Sequence, residues 1–195
     1  MTRPVAVLIG PPGAGKSTVG PLLAALLGSE FAETDAMVEA AAGKPVSDIF
    51  ISDGEPAFRA MERDAVAWAL EHHPGIVALG GGAVMDPQTR QRLARHRVVY
   101  LQTGFAAAVR RVGLDTPRPL LLGNPRGRMR ELLGERLPVY EELARITVVT
   151  DDRDPQEIAD EIAAAITARI AAAAGEGAGS GDGDWAAEGE DDGGA

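Results

Sequence analysis

The feature that most constrains this chain is the stretch Gly10-Pro11-Pro12-Gly13-Ala14-Gly15-Lys16-Ser17-Thr18, which directly follows the apolar run Val5-Ala6-Val7-Leu8-Ile9. Its spacing, G-x-x-x-x-G-K-[ST], has a mechanism. Glycines let successive backbone N–H groups turn inward around phosphate oxygens, and the helix that follows offers them its positive N-terminal end. Gly13, Ala14, Gly15 and Thr18 then belong to a nucleotide-phosphate cradle, Lys16 reaches the β- and γ-phosphates, and Ser17 can hold Mg²⁺. The strand before the loop is apolar throughout, as a parallel strand buried on both faces requires.

The pattern repeats along the chain. A helix over 16–27 ends at Gly28, and a short strand near Phe31 delivers Glu33-Thr34-Asp35 to the carboxyl end of the sheet, where open α/β folds place ligands. A helix over 36–42 is followed by a Gly43-Lys44-Pro45 break, a turn over 46–50 and a long helix over 55–72. On that helix Arg59 and Glu62 share a face. His72 and His73 read as a solvated helix end. A strand over 76–79 runs into Gly80-Gly81-Gly82, where backbone can approach a ligand closely. Asp86-Pro87 opens the next helix, to about residue 96. After a strand over 98–102, Thr103 is placed to cap a helix bearing Arg110 and Arg111. Residues 114–127 combine Pro and Gly with Arg118 and Leu120-Leu121-Leu122, which reads as a lid with an apolar underside. A helix over 128–144 carries Arg136 and is interrupted at Pro138. A strand over 146–149 and a helix from Asp154-Pro155 to about residue 174 complete the series. Five strands alternating with helices predict a three-layer α/β/α domain with a five-stranded parallel sheet; spacing leaves the strand order open.

Composition narrows the function. The net charge is −10, but residues 175–195 supply −7 of it with no Lys or Arg, so the rest carries only −3. A nearly balanced body lacks the clustered positive charge of a nucleic-acid interface. The tail is almost entirely Gly, Ala, Asp and Glu, with one Ser180 and one Trp185, too apolar-poor to offset ordering entropy, and is predicted to be disordered. This leaves a single domain over 1–174. No run approaches the roughly 20 apolar residues of a membrane span, and the N-terminus leads straight into a strand, so a cytoplasmic protein with no membrane partner is expected. The absence of Cys excludes disulfides and thiolate chemistry.

A phosphate loop alone leaves motor, switch, ATPase and kinase open. Many such proteins carry a metal-supporting acid after a central strand, but here the third strand ends in glycine, which leaves Glu33 and Asp35 as the nearest carboxylates. Phosphoryl transfer needs a phosphate cradle, a metal, a base for the attacking hydroxyl and positive charge over the moving group. Arg118 suits the last role. Arg59 and Arg136 exceed what phosphate neutralisation needs, and paired guanidinium groups bind a carboxylate, which points to an acidic small-molecule acceptor.

The phosphate loop, Thr34-Asp35, Asp53-Gly54-Glu55 with Phe58-Arg59 and Glu62, the run Gly80 to Val84, Arg118-Pro119-Leu120-Leu121, and Arg136 before Pro138-Val139-Tyr140 together resemble the shikimate kinase family, in order from about residue 5 to 168. The resemblance implies a nucleoside-monophosphate-kinase-like fold with strand order 2-3-1-4-5, an acceptor-binding part over about 35–62, and a monomer. It also implies transfer of the γ-phosphate of ATP, with one Mg²⁺ per subunit, to the 3-hydroxyl of shikimate, a step of aromatic amino-acid synthesis. By the same resemblance Asp35 contacts the reacting hydroxyl as base, Arg59 and Arg136 bind the carboxylate with Glu62 bracing Arg59, and Gly80, Gly81 and Gly82 line the pocket. Lys16 and Arg118 act on the phosphoryl group, Ser17 ligates the metal, and Arg111 with Pro155 flanks the adenine. One departure stands out: the family reads Asp-Thr-Asp where this chain has Glu33-Thr34-Asp35, so Glu33 is expected to support the metal through its water shell. A kinase for another small acid, such as gluconate, and an ATP-binding pseudokinase are the competing readings.

Overall fold

The computed structural model describes residues 3–112 and 125–177. In chain order these form β1 (Ala6–Ile9), α1 (Lys16–Leu26), β2 (Phe31–Glu33), α2 (Thr34–Ala42), α3 (Val46–Ser52), α4 (Glu55–His72) and β3 (Ile76–Ala78). A 3-10 turn (Ala83–Met85) then leads to α5 (Pro87–Leu93), β4 (Val98–Gln102), α6 (Phe105–Val112), α7 (Pro125–Leu143), β5 (Ile146–Val149) and α8 (Pro155–Gly177). All strand pairs are parallel and the order is β2-β3-β1-β4-β5, as the resemblance implied. The central strand is β1, with Leu8 paired to Ala78 on one side and Val99 on the other.

The two faces of β1 explain its unbroken apolar sequence. Alternate side chains point to opposite faces: Ala6 and Leu8 pack with Leu23 of α1 and Ile162 of α8, while Val7 and Ile9 pack with Val66 of α4 and Tyr140 of α7. Each fully buried Val, Leu or Ile contributes about 1.5–3 kcal/mol. A smaller third cluster, Val38, Ile49 and Phe58, ties α2, α3 and α4 into the acceptor-side part of the domain.

Several expectations need correction. The turn expected over 46–50 is the helix α3, with Ile49 buried against Phe58. The helix α5 stops at Leu93, short of residue 96. Pro138 does not interrupt α7, which runs from Pro125 to Leu143 with Pro138 inside it. A proline removes one backbone donor, and here the buried Val139 and Tyr140 that follow hold the helix against the sheet. Asp86 caps α5 as expected, accepting from the N–H groups of Gln88 and Thr89. Thr103, by contrast, turns its hydroxyl to Asp151, 2.6 Å away, and that carboxylate also accepts from the Gly104 N–H beside the start of α6. His72 is exposed, but His73 is buried, where its Nδ1 accepts the Gly75 N–H at 3.1 Å. At the chain's end α8 continues to Gly177, three residues beyond the expected stop, and 178–195 lie outside the described residues. So do 113–124, most of the stretch read as a lid, whose final residues 125–127 open α7.

Candidate active site

The carboxyl ends of β1, β2 and β3 converge on a cleft of about 380 Å³ lined by Gly13, Lys16, Ser17, Glu33, Asp35 and Gly80, among others. Its phosphate-loop wall depends on glycine conformation at two positions: Gly13 has φ 79° and Gly15 φ 96°. A side chain on Gly13 would also sit 2.7 Å from the Ala108 carbonyl of α6. Lys16, in the first turn of α1, folds back to donate to the carbonyls of Gly10 at 2.7 Å and Pro11 at 3.1 Å. Its neighbour Ser17 donates to Glu33 Oε1 at 2.5 Å. A hydroxyl and a carboxylate side by side are hard oxygen ligands, and Mg²⁺ characteristically takes one or two such groups with substrate phosphates and water. The pair fits that ion, and the described residues hold no larger cluster of acids, histidines or cysteines that would form an all-protein cage.

Asp35 stands in the first turn of α2. The buried Thr34 beside it accepts the Gly80 N–H at 3.0 Å, which pins this turn to the end of β3. Water reaches Asp35 through the cleft mouth. The surrounding protein nevertheless desolvates its carboxylate and, with Glu33 nearby, raises its pKa above the usual value against the opposing pull of Lys16.

The glycine run makes the acceptor side possible. A methyl at Gly80 would collide with Asp35 Oδ1 and come within 2.7 Å of Glu62 Oε1; at Gly82 it would lie 2.5 Å from one Arg59 guanidinium nitrogen and 2.8 Å from the other. Arg59 donates to Glu62 at 2.5 Å and to Glu55 at 3.2 and 3.1 Å, so one guanidinium is held from both sides along α4. Burial opposes its charge, but Glu62 and Glu55 outweigh that and keep its pKa above the usual value. Glu62 is buried and its pKa is raised by desolvation, partly countered by Arg59 and by Arg136. Arg136, buried on α7, thus belongs to the same charge cluster.

The base of the site is closed by Arg111, in the last turn of α6. It donates to Gly13 O at 3.3 Å, Thr150 Oγ1 at 3.0 Å and Thr150 O at 2.5 Å, linking phosphate loop, α6 and the end of β5.

A family model for shikimate kinase matches residues 12–167. The chain belongs to the shikimate kinase family. The shikimate kinase of Thermobifida fusca is 61% identical over 167 residues, covering 86% of this chain and 97% of that one. That of Salinispora arenicola is 56% identical over 165 residues, covering 85% and 99%. Among solved structures, the shikimate kinase from Acinetobacter baumannii in complex with shikimate superposes with a TM-score of 0.81 at 35% identity, covering 87% of this chain and 95% of that one. The chain is therefore an ATP-dependent kinase, a phosphotransferase.

Against the residues expected of a shikimate kinase, the structure brings Gly13, Gly15, Lys16, Ser17, Thr18, Glu33, Asp35, Gly80, Gly81 and Arg111 to one cleft. Ala14 is buried beneath the loop. Arg59, Gly82 and Arg136 join through the Glu62 cluster. Pro155 opens α8 and is not among the residues lining the cleft. Arg118 lies outside the described residues. Sequence reasoning assigned no role to Thr150, Glu55 or Tyr140. Glu55 was discoverable, because it stands four residues before Arg59 on one helix face. Thr150 acts across the fold and left no local signal, whereas Tyr140 stood in the run after Arg136 that carried the resemblance, with no partner legible there.

Proposed function

We propose that this chain transfers the γ-phosphoryl group of ATP to the 3-hydroxyl of shikimate, giving shikimate 3-phosphate and ADP. The observation that carries the reading is the meeting of Asp35 with the Arg59–Glu62 pair at one glycine turn, directly beside the phosphate loop. Support for the acceptor also comes from the family match and from the Acinetobacter baumannii relative, solved in complex with shikimate. The Arg59 and Arg136 guanidinium groups take the acceptor carboxylate, which fixes its hydroxyl over Asp35. A carboxylate whose pKa is raised is a better proton acceptor than an ordinary one. As the hydroxyl oxygen bonds to the γ-phosphorus and the bond to the ADP oxygen breaks, the hydroxyl proton passes to Asp35. The transition state is loose, so positioning and charge carry the rate, and Lys16 swings from its carbonyl partners to the transferring oxygens. Ser17 and Glu33 would hold Mg²⁺, which supplies further neutralisation at the phosphates. Arg118 over the phosphoryl group and Arg111 with Pro155 around the adenine rest on the family resemblance. On the same ground the chain acts as a monomer in the cytoplasm; among the described residues no helix is long and apolar enough to cross a membrane.

The test is ADP release with ATP and Mg²⁺ in parallel reactions containing shikimate, gluconate or no acceptor. Stimulation by shikimate alone is expected. Equal or faster phosphorylation of gluconate would reassign the acceptor, and ATP binding without stimulation by any acceptor would leave a nucleotide-binding protein.

A further inference from the structure

Tyr140 is buried in α7 with only 1% of its surface exposed, and its ring stacks on Tyr100 of β4 at 5.2 Å between centroids. A core tyrosine often serves for its ring alone. Here the hydroxyl also has a defined partner, donating to the Gly81 carbonyl at 2.6 Å. Gly81 is the middle of the turn on which the acceptor side is built: Gly80 lies under Asp35 and Glu62, Gly82 under Arg59, and a methyl at Gly81 would sit 3.1 Å from Pro12 of the phosphate loop. The other anchors of this turn are local or come from α2: Thr34 accepts the Gly80 N–H, the Gly80 carbonyl accepts from Ala83, and the Gly82 carbonyl from Met85. Tyr140 adds an anchor from α7, the helix that carries Arg136 one turn earlier. That guanidinium is itself a hydrogen-bond partner of the phenol and acts on it electrostatically, as it does on Glu62, so one hydroxyl ties the Gly81 carbonyl to Arg136.

We propose that Tyr140 is a positioning residue for the acceptor: its bond to the Gly81 carbonyl holds the turn beneath Asp35 and Arg59 at a set distance from the helix bearing Arg136. The two guanidinium groups come from elements far apart in sequence, and a bidentate grip on one carboxylate tolerates little drift between them. Burial keeps the phenol protonated well beyond neutral pH, so it remains a donor.

This inference rests on the shikimate assignment, and the experiment separates the two. Tyr140→Phe removes one oxygen and keeps the ring stack. Shikimate dissociation constants from calorimetry and KM values for both substrates are measured on wild type and variant. The expected result is about tenfold weaker shikimate binding and a matching rise in shikimate KM, with KM for ATP unchanged, as loss of the phenol's buried hydrogen bonds to the Gly81 carbonyl and Arg136 implies. An unchanged shikimate constant with a lowered Tm would overturn the proposal and leave a packing role; equal loss for both substrates would overturn it in favour of general loosening. Failure of the wild type to bind shikimate would instead refute the functional reading itself. If Tyr140→Phe does not fold, fluorotyrosine labelling replaces it, since the chain has two tyrosines and Tyr100→Phe assigns the two fluorine resonances. The Tyr140 resonance is expected to move on addition of shikimate, and a resonance that responds to ADP alone would overturn the proposal.

Discussion

Gly82→Ala separates folding from function in this site. Gly82 has φ −97° and ψ −16°, a conformation that alanine adopts without strain. The new methyl would lie 2.5 and 2.8 Å from the two terminal nitrogens of Arg59 and 3.0 Å from the carbon between them. Contact distances for such atoms are about 3.5 Å, so the guanidinium must retreat by roughly 1 Å. It can do so, because it is the far end of a flexible side chain that keeps a quarter of its surface exposed. A retreat of that size stretches the bond to Glu62 from 2.5 Å to the limit of hydrogen bonding. It also takes Arg59 out of register with Arg136. A charged hydrogen bond is worth about 1.5–3 kcal/mol, which corresponds to a rise in shikimate KM of roughly tenfold to a hundredfold. Stability moves less than binding: Glu62 is buried, but Arg59 is partly exposed and keeps its bonds to Glu55, and Gly-to-Ala at a compatible site offsets part of the weakened contact by about 0.4–1 kcal/mol through the unfolded chain. Steady-state kinetics with either substrate varied, together with a thermal melt, provide the assay. A large fall in Tm with unchanged shikimate KM would refute the reasoning, as would an equal rise in KM for ATP.

Asp35→Asn is expected to keep ATP and shikimate binding while lowering kcat by at least a hundredfold, checked by single-turnover transfer beside equilibrium binding. Because burial raises the Asp35 pKa above that of an ordinary aspartate, the wild-type rate should fall with decreasing pH at a point above the usual carboxylate range. For stability the sign is opposite to that of a salt-bridged acid. The folded state holds the proton more tightly, so stability falls as pH rises from the unfolded through the folded pKa, and Asp35→Asn should melt no lower than wild type at neutral pH. Glu33→Gln should weaken Mn²⁺ binding in the presence of ADP several-fold, read by paramagnetic resonance, with shikimate binding unchanged; equal metal affinity would remove Glu33 from the metal site. Lys16→Met should abolish transfer with a native circular-dichroism spectrum, and normal turnover would contradict the phosphate-loop account.

What could be read from the sequence was set by local chemistry. The phosphate loop declares itself because only glycine adopts φ near 79° and 96° without strain, and because its lysine and serine follow at a set spacing. The order of strands and helices was legible because β1 is apolar on both faces, and because Asp86 and Asp154 announce helix starts whose backbone donors they then satisfy. The candidate acceptor residues were legible only through their combination in order along the chain.

Other features belong to the tertiary structure. Pro138 looked like a break until Val139 and Tyr140 were seen buried against the sheet, and His73 looked solvated until Gly75 proved to need an acceptor. Three consecutive glycines signalled a close approach without saying to what; the answer, Asp35 and Glu62 at one end and Arg59 at the other, depends on α2 and α4 both packing over the end of β3. The Thr34–Gly80 and Tyr140–Gly81 bonds span 46 and 59 residues. No periodicity or spacing encodes such pairs, because the parallel order β2-β3-β1-β4-β5 brings chain-distant carboxyl ends to one edge, and that order is decided by how whole elements bury their apolar faces together.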